Sequence, residues 1–253
     1  MSFSRDLQHK KILVLGAGVT GLASARALIA REAHVTIVDD TITTGSEFSI
    51  LQPSAVNVAD FDFVLISPGW KESHPLIAQA KVAHVALLNE IDLAWAIKEE
   101  RYPGQKWLAL TGTNGKTTTV EMTAAILKAA GIKATACGNV GDTVIDAVDR
   151  ADAYEVLVLE LSSFQLHWAR QAQFQAAAIL NIADDHLDWH GSFDAYADAK
   201  LSILDRADIA ILNADDGAVV TRANRFNERK VFFSLNTPAP GEIGVVEELL
   251  VDR

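Results

Sequence analysis

Leu108-Ala-Leu-Thr-Gly-Thr-Asn-Gly-Lys-Thr-Thr118 puts a lysine and two hydroxyls directly behind a glycine turn, between an apolar run and a helical pattern. That combination is built for phosphate. Successive backbone N–H groups of such a turn form an anion-binding nest, the lysine reaches the terminal phosphates, and the first hydroxyl suits Mg²⁺. The run therefore nominates Gly112, Thr113, Asn114, Gly115, Lys116, Thr117 and Thr118 as an ATP-binding loop. The spacing is shorter than the common P-loop, whose first glycine would fall at Leu110.

A second glycine turn, Gly16-Ala-Gly-Val-Thr-Gly21, also follows an apolar run and opens a helical pattern, and Asp39 closes the next apolar run. This is the setting of a dinucleotide fingerprint. Glycines let the backbone approach a diphosphate, the helix N-terminus offers free N–H donors, and the acidic residue accepts from ribose hydroxyls. Taken alone, the turn fits an NAD-dependent dehydrogenase, or a turn that merely packs helix on strand.

Three further side chains can do chemistry. Glu160 ends an apolar run, where a carboxylate can ligate Mg²⁺ or simply face solvent. His186 stands among Asp184, Asp185 and Asp188, a setting that is either a solvated acidic loop or a tuned imidazole. Lys200 reads by position as an ordinary exposed helix lysine. His9, His34, His74, His84, His167 and His190 have no comparable neighbours and read as structural or surface residues.

The elements that must carry these residues alternate. Apolar β-branched runs at Lys11–Leu15, His34–Asp39 and Phe61–Ser67 alternate with helical patterns at Gly21–Glu32 and Glu90–Glu100. Short continuous apolar strands separated by helices predict a parallel sheet covered on both faces. Arg101-Tyr-Pro-Gly-Gln105 is a turn-rich junction. A second α/β pattern follows, with strands at Trp107–Thr111, Lys133–Cys137, Glu155–Leu161, Ala176–Asn181 and Asp208–Asn213, and a helix from Lys116 to about Ala130. Ser192 is a good N-cap for a helix running to about Arg206. Val231–Leu235 and Gly241–Asp252 read as strands joined by a Pro/Gly turn. The expected fold is α/β: a Rossmann-like parallel-sheet domain over residues 1–102, then a P-loop-type ATP-binding domain over residues 103–253.

The formal net charge of −11 disfavours non-specific binding to nucleic acid or to an anionic membrane surface. Cys137 is the single cysteine, so no internal disulfide can form, which fits a reducing compartment. Ile12–Ala30 has the outline of a signal peptide, but Arg26 and three glycines interrupt it, and no run reaches the length of a membrane span.

Thr111-Gly-Thr-Asn-Gly-Lys-Thr-Thr118 after a strand resembles the ATP loop of the Mur ligases and folylpolyglutamate synthases. Glu160-Leu-Ser-Ser-Phe-Gln-Leu166 resembles the signature of the Mur ligase that joins D-glutamate to UDP-N-acetylmuramoyl-L-alanine. Asn181-Ile-Ala-Asp-Asp-His-Leu-Asp188, Cys137-Gly-Asn-Val-Gly141 and Ser67-Pro-Gly69 match further family positions, and the likeness runs from Lys11 to about Asp216.

The resemblance implies a cytoplasmic, monomeric ATP-dependent ligase of peptidoglycan precursor synthesis. In that family ATP phosphorylates a carboxylate and an amine then attacks the acyl phosphate. It implies catalytic roles for Lys116, His186 and Lys200, with Mg²⁺ (two ions) held by Thr117, Glu160, His186 and a carbamylated Lys200. Val19, Thr20, Asp39, Asp40, Gly69 and Asn139 would hold the UDP-sugar. Asp40 and Thr41 stand where some members carry threonine and arginine, so the uracil contacts differ here. Family members carry a third domain, so residues 1–253 are expected to bind the UDP substrate better than they turn it over.

Overall fold

The computed structural model describes residues 7–42, 44, 47–226 and 229–253. They fall into two units. The first holds residues 7–103 together with 142–153 and 168–172; the second holds 104–141, 154–167 and 173–253.

The first unit runs β1 (Lys11–Leu15), α1 (Val19–Ile29), β2 (His34–Val38), β3 (Ile50–Leu51), β4 (Phe63–Ile66), α2 (Pro75–Val82), β5 (Ala86–Asn89) and α3 (Glu90–Arg101). Its strands lie in the order β3-β2-β1-β4-β5, all parallel. The strand order reverses at β1, flanked by β2 and β4. A ligand crevice forms beyond the carboxyl end of such a strand, which is where Gly16–Gly21 lies. Leu13, Leu15, Val38, Val64 and Ile66 from the sheet pack with Leu76 and Ile77 of α2 in a buried core. Each such Leu or Ile contributes roughly 2 kcal/mol relative to exposure.

The second unit begins with β6 (Lys106–Thr111), α4 (Lys116–Ala129) and β7 (Ala134–Gly138). The chain then gives α5 (Val144–Val148) to the first unit. It continues through β8 (Val156–Glu160), α6 (Ser163–Trp168), β9 (Ala176–Ile179), α7 (Leu187–His190) and α8 (Phe193–Leu201). It closes with β10 (Ile209–Asn213), α9 (Gly217–Ala223), β11 (Arg229–Phe233), β12 (Glu242–Val246) and β13 (Leu249–Asp252). The strand order is β13-β12-β11-β10-β9-β6-β8-β7, with only the β12–β13 pair antiparallel. The order reverses again at β6, so the second glycine turn also sits at a switch point. Val120 and Ala124 of α4 pack on Leu110, Ala134, Ala136, Val156 and Val158.

The α/β class with parallel sheets agrees with the alternation in the sequence. Several boundaries differ from expectation, two of them beside the candidate site residues. α1 starts at Val19 because Gly18, extended at φ −75° and ψ −177°, takes the N-cap position. The helix capped by Ser192 ends at Leu201, and a short 3₁₀ turn at Leu204–Arg206 follows. No described helix is long and apolar enough to cross a membrane.

Candidate functional site

In the second unit the turn after β6 leads into α4 through Gly115, which takes the left-handed conformation at φ 80° that favours glycine. Asn181 locks this turn: its Oδ1 accepts from Asn114 N at 2.8 Å and its Nδ2 donates to Asn114 O at 3.1 Å. Thr113 Oγ1 lies 3.0 Å from Tyr196 Oη and accepts from Ala183 N at 2.9 Å. The loop is thus held from β9's exit and from α8 before any ligand arrives, which lowers the ordering cost of binding. Lys116 Nζ donates to Thr113 O at 3.0 Å, so the ammonium lies folded over the turn it caps.

Glu160, 1 % exposed, ends β8 beside this turn. Its Oε2 accepts from Thr117 Oγ1 at 2.8 Å and its Oε1 from Asn139 Nδ2 at 2.9 Å. The backbone N–H of Asn139 also donates to Glu160 O at 2.9 Å. Gly138 makes that approach possible: at φ +106°, a Cβ there would sit 2.5 Å from Glu160 O. Glu160 is therefore not the solvent-facing glutamate that its position in sequence also allowed.

Lys200 departs furthest from its sequence reading. It is 2 % exposed rather than solvated, and its Nζ donates to Gly112 O at 2.8 Å and Thr111 Oγ1 at 3.4 Å. The Tyr196 ring lies 4.7 Å below the ammonium. Burial, reinforced by the nearby Lys116 charge and opposed by Asp185, pulls the Lys200 ammonium down to about 7.

His186 caps α7 in the left-handed region at φ 51°. Its ring packs against Phe164, with centroids 4.7 Å apart, and Nε2 lies 3.4 Å from Asp185 Oδ2. Phe164 also stacks on His190 at 5.6 Å, and His190 meets Tyr196 at 5.4 Å. His190 Nε2 lies 2.9 Å from Ser163 Oγ. Burial first, then the neighbouring His167, His186 and Lys200, push the His190 imidazole down to about 4, with Asp188 opposing. His190 is thus part of a packed aromatic group, and the sequence carries no local sign of it.

Mg²⁺ is the ion the loop implies. Among the described residues no three His, Cys, Asp or Glu side chains gather as a cage. Mg²⁺ on a nucleotide needs none, because it keeps several waters and takes one or two protein oxygens plus phosphates. The bonded Thr117 hydroxyl and Glu160 carboxylate supply that donor set. Lys200 as an ammonium does not fit a metal; it fits only after its charge is reversed.

In the first unit the glycine turn is braced from beneath. Asp39 accepts from Ala17 N at 2.8 Å, Ile42 N at 2.8 Å and Thr41 N at 2.9 Å. Burial pulls its carboxyl upward, but these three amides and the Thr41 hydroxyl outweigh that pull and hold it below the usual carboxylate range. Asp39 is thereby committed to shaping the turn. Asp40, Gly69, Trp70 and His74 border a cavity of about 630 Å³ together with Asp39. Val19 and Thr20 open α1, with Val19 exposed. Asn139 lies in the second unit, on Glu160.

Residues 110–248 match the family described as the Mur ligase middle domain. The chain is 44 % identical to UDP-N-acetylmuramoylalanine–D-glutamate ligase of Thermobifida fusca over 98 % of its own length and 56 % of that protein's. It thus spans about half the length of the curated relatives it matches. Among solved structures, UDP-N-acetylmuramate:L-alanyl-gamma-D-glutamyl-meso-diaminopimelate ligase from Neisseria meningitides superposes with a TM-score of 0.60 at 14 % identity, covering 94 % of this chain and 81 % of that one. MurF ligase from Thermotoga maritima in complex with ADP superposes at 0.50 and 19 % identity, covering 94 % and 50 %. These two carry the fold alone.

Proposed function

The chain belongs to the Mur ligase family, and from that premise we propose that it serves an ATP-dependent ligase joining D-glutamate to UDP-N-acetylmuramoyl-L-alanine. The reading assigns the first unit to the UDP substrate and the second to ATP, in a cytoplasmic, monomeric protein; the units divide after residue 103, beside the expected boundary, except that residues 142–153 and 168–172 return to the first unit. One observation carries it: the glycine turn after β6 presents Lys116 and Thr117 with Thr117 bonded to the buried Glu160 carboxylate.

The chemistry has two requirements. A carboxylate is a poor electrophile until an oxygen is converted into a leaving group, and two anions must meet for that to happen. The loop amides of Gly112–Gly115 and the Lys116 ammonium neutralise the β- and γ-phosphates. Swinging off Thr113 O frees Lys116 Nζ for that contact. Thr117 and Glu160 would hold Mg²⁺, which when bound screens phosphate charge. Asp39 shapes the Gly16–Gly21 turn so that the amides near Val19 and Thr20 face the diphosphate of the nucleotide sugar. Asp40 and Gly69 border the cavity for its nucleoside. Asn139 orients Glu160.

Lys200 supports the second part of the reading. An amine poised near neutrality exists partly as the free base, the form that adds CO₂ and releases a proton to become a carbamate. That converts a buried cation into an anionic oxygen donor, which with His186 would serve a second Mg²⁺.

The test is direct. Calorimetry on the chain should detect ADP with Mg²⁺ and, separately, UDP-N-acetylmuramoyl-L-alanine, with no NAD binding. In the full-length protein, ADP release should depend on D-glutamate; preference for L-alanine or meso-diaminopimelate would sink the substrate assignment.

A further inference from the structure

The Gly16–Gly21 turn and the 630 Å³ cavity are both bordered by one side chain that the assignment above leaves unused, Trp70. Its indole Nε1 stands 3.0 Å from the point a Cβ on Gly16 would occupy, so the nitrogen lies against the glycine turn. The ring also lines the cavity next to Gly69 and His74. Trp70 is fixed in that pose from several sides. Trp168 Nε1 donates to Trp70 O at 3.2 Å, and the ring packs on the core of the first unit. His74 meets it edge-on, with centroids 4.3 Å apart.

His74 is itself held. Its Nδ1 accepts from Leu76 N at 3.2 Å, so the proton sits on Nε2, which lies 3.4 Å from Asp40 Oδ1. A half-buried indole N–H ordinarily finds an acceptor. Trp70 is half-buried, and its Nε1 faces accessible space with no acceptor among the described residues; the Ser67 Oγ beneath the same turn is buried without a partner. A donor held rigidly against the glycine turn and open to the cavity is free to meet an oxygen of a bound ligand.

We propose that Trp70 is a ligand-binding residue of this site: its Nε1–H donates to the diphosphate end of a bound nucleoside diphosphate while its ring walls off the cavity that takes the nucleoside. This rests on the nucleotide-sugar reading of the first unit. It adds an N–H donor from a side chain to the backbone donors of the turn, at a position where sequence pattern alone shows only an apolar aromatic.

The experiment uses the whole chain with UDP as probe. The sequence has five tryptophans, so ¹⁵N-tryptophan labelling gives five indole N–H signals, and Trp70→Phe identifies one of them by its loss. On saturation with UDP the Trp70 signal should move downfield further than the other four. Trp70→Phe keeps an aromatic ring against the core and His74 but removes the donor, and should weaken UDP binding about tenfold, as expected for one hydrogen bond to a charged group. It should leave the weak binding of uridine, read by ligand-detected NMR, unchanged; Trp70→Ala should weaken both. If the wild-type chain binds UDP and either the signal stays in place or Trp70→Phe binds equally well, the role of Trp70 is overturned. Failure of the wild-type chain to bind UDP at all would instead overturn the nucleotide reading on which it rests.

Discussion

Thr117 Oγ1 donates to Glu160 Oε2 at 2.8 Å, joining the first turn of α4 to the end of β8 across 43 positions of sequence. The carboxylate is buried and its other oxygen is held by Asn139, so the pair is fixed before a nucleotide binds. Glu160→Gln replaces one acceptor with a donor facing Thr117 or Asn139. It should cost about 1–3 kcal/mol in urea denaturation, the penalty for leaving a buried polar group unsatisfied. It should also abolish the Mg²⁺ enhancement of ADP binding; calorimetry with and without Mg²⁺ reads that directly.

Lys116 is partly exposed, and among the described residues its ammonium donates to Thr113 O within its own turn. Lys116→Ala should therefore leave the melting temperature nearly unchanged. ATP affinity should fall by about 10- to 100-fold, as for loss of one charge-assisted contact. Equal ATP binding by mutant and wild type would exclude the loop as the triphosphate site.

Lys200 gives stability a pH dependence of definite sign. Its folded-state value of about 7 lies below the ordinary 10.5. Below about 7 the lysine is protonated folded and unfolded alike, and the folded chain bears the full cost of a buried ammonium. Between about 7 and 10.5 the unfolded chain holds the proton more tightly, so this contribution to stability rises with pH. Denaturation of Lys200→Met across that window should lack the rise that wild type shows.

His190 titrates against the fold at the acid side. With its folded value near 4 and its ordinary value near 6.5, the unfolded chain gains the proton first as pH falls. Its contribution is constant above about 6.5 and is lost progressively from there down to about 4. His190→Gln should flatten the stability profile in that interval, measured as the difference between the two proteins' denaturation midpoints.

Gly21 sits where a Cβ would fall 1.9 Å from Gly16 O. No rotamer relieves a clash with backbone. Gly21→Ala should cost more than about 3 kcal/mol, in the range of strained or overpacked sites, and should open the UDP site. Circular dichroism melting checks the first effect and UDP titration the second.

What could be seen in the sequence was whatever a short window encodes. The two glycine turns, the strands before them and the strand-end Glu160 are local patterns, and each lies where the pattern put it. Lys200 was invisible for the opposite reason. A lysine on an Ala-rich helix has the same local sequence whether it faces water or the β6 turn, and only the packing of α8 decides. His190 and Trp70 behave alike: their settings depend on Phe164 and Gly16, each more than twenty positions away, and on how the nearer Tyr196 and His74 fold against them. Short elements such as α5 and α9 escaped because five or seven residues carry too little periodicity to register.

The bidentate grip of Arg31 on Asp149, at 2.7 and 2.8 Å, shared with Arg101, has a consequence for biogenesis. Asp149 follows α5, a piece of the first unit supplied long after α3 has left the ribosome, and residues 168–172 arrive later still to engage Asp92. The amino-terminal unit therefore cannot finish folding as it emerges. It must wait, with Glu90 still lacking the Ile145 amide, while the phosphate turn of the next unit is already being synthesised. A nascent chain stalled at residue 103 should be sensitive to proteolysis, and one stalled well past residue 172 resistant.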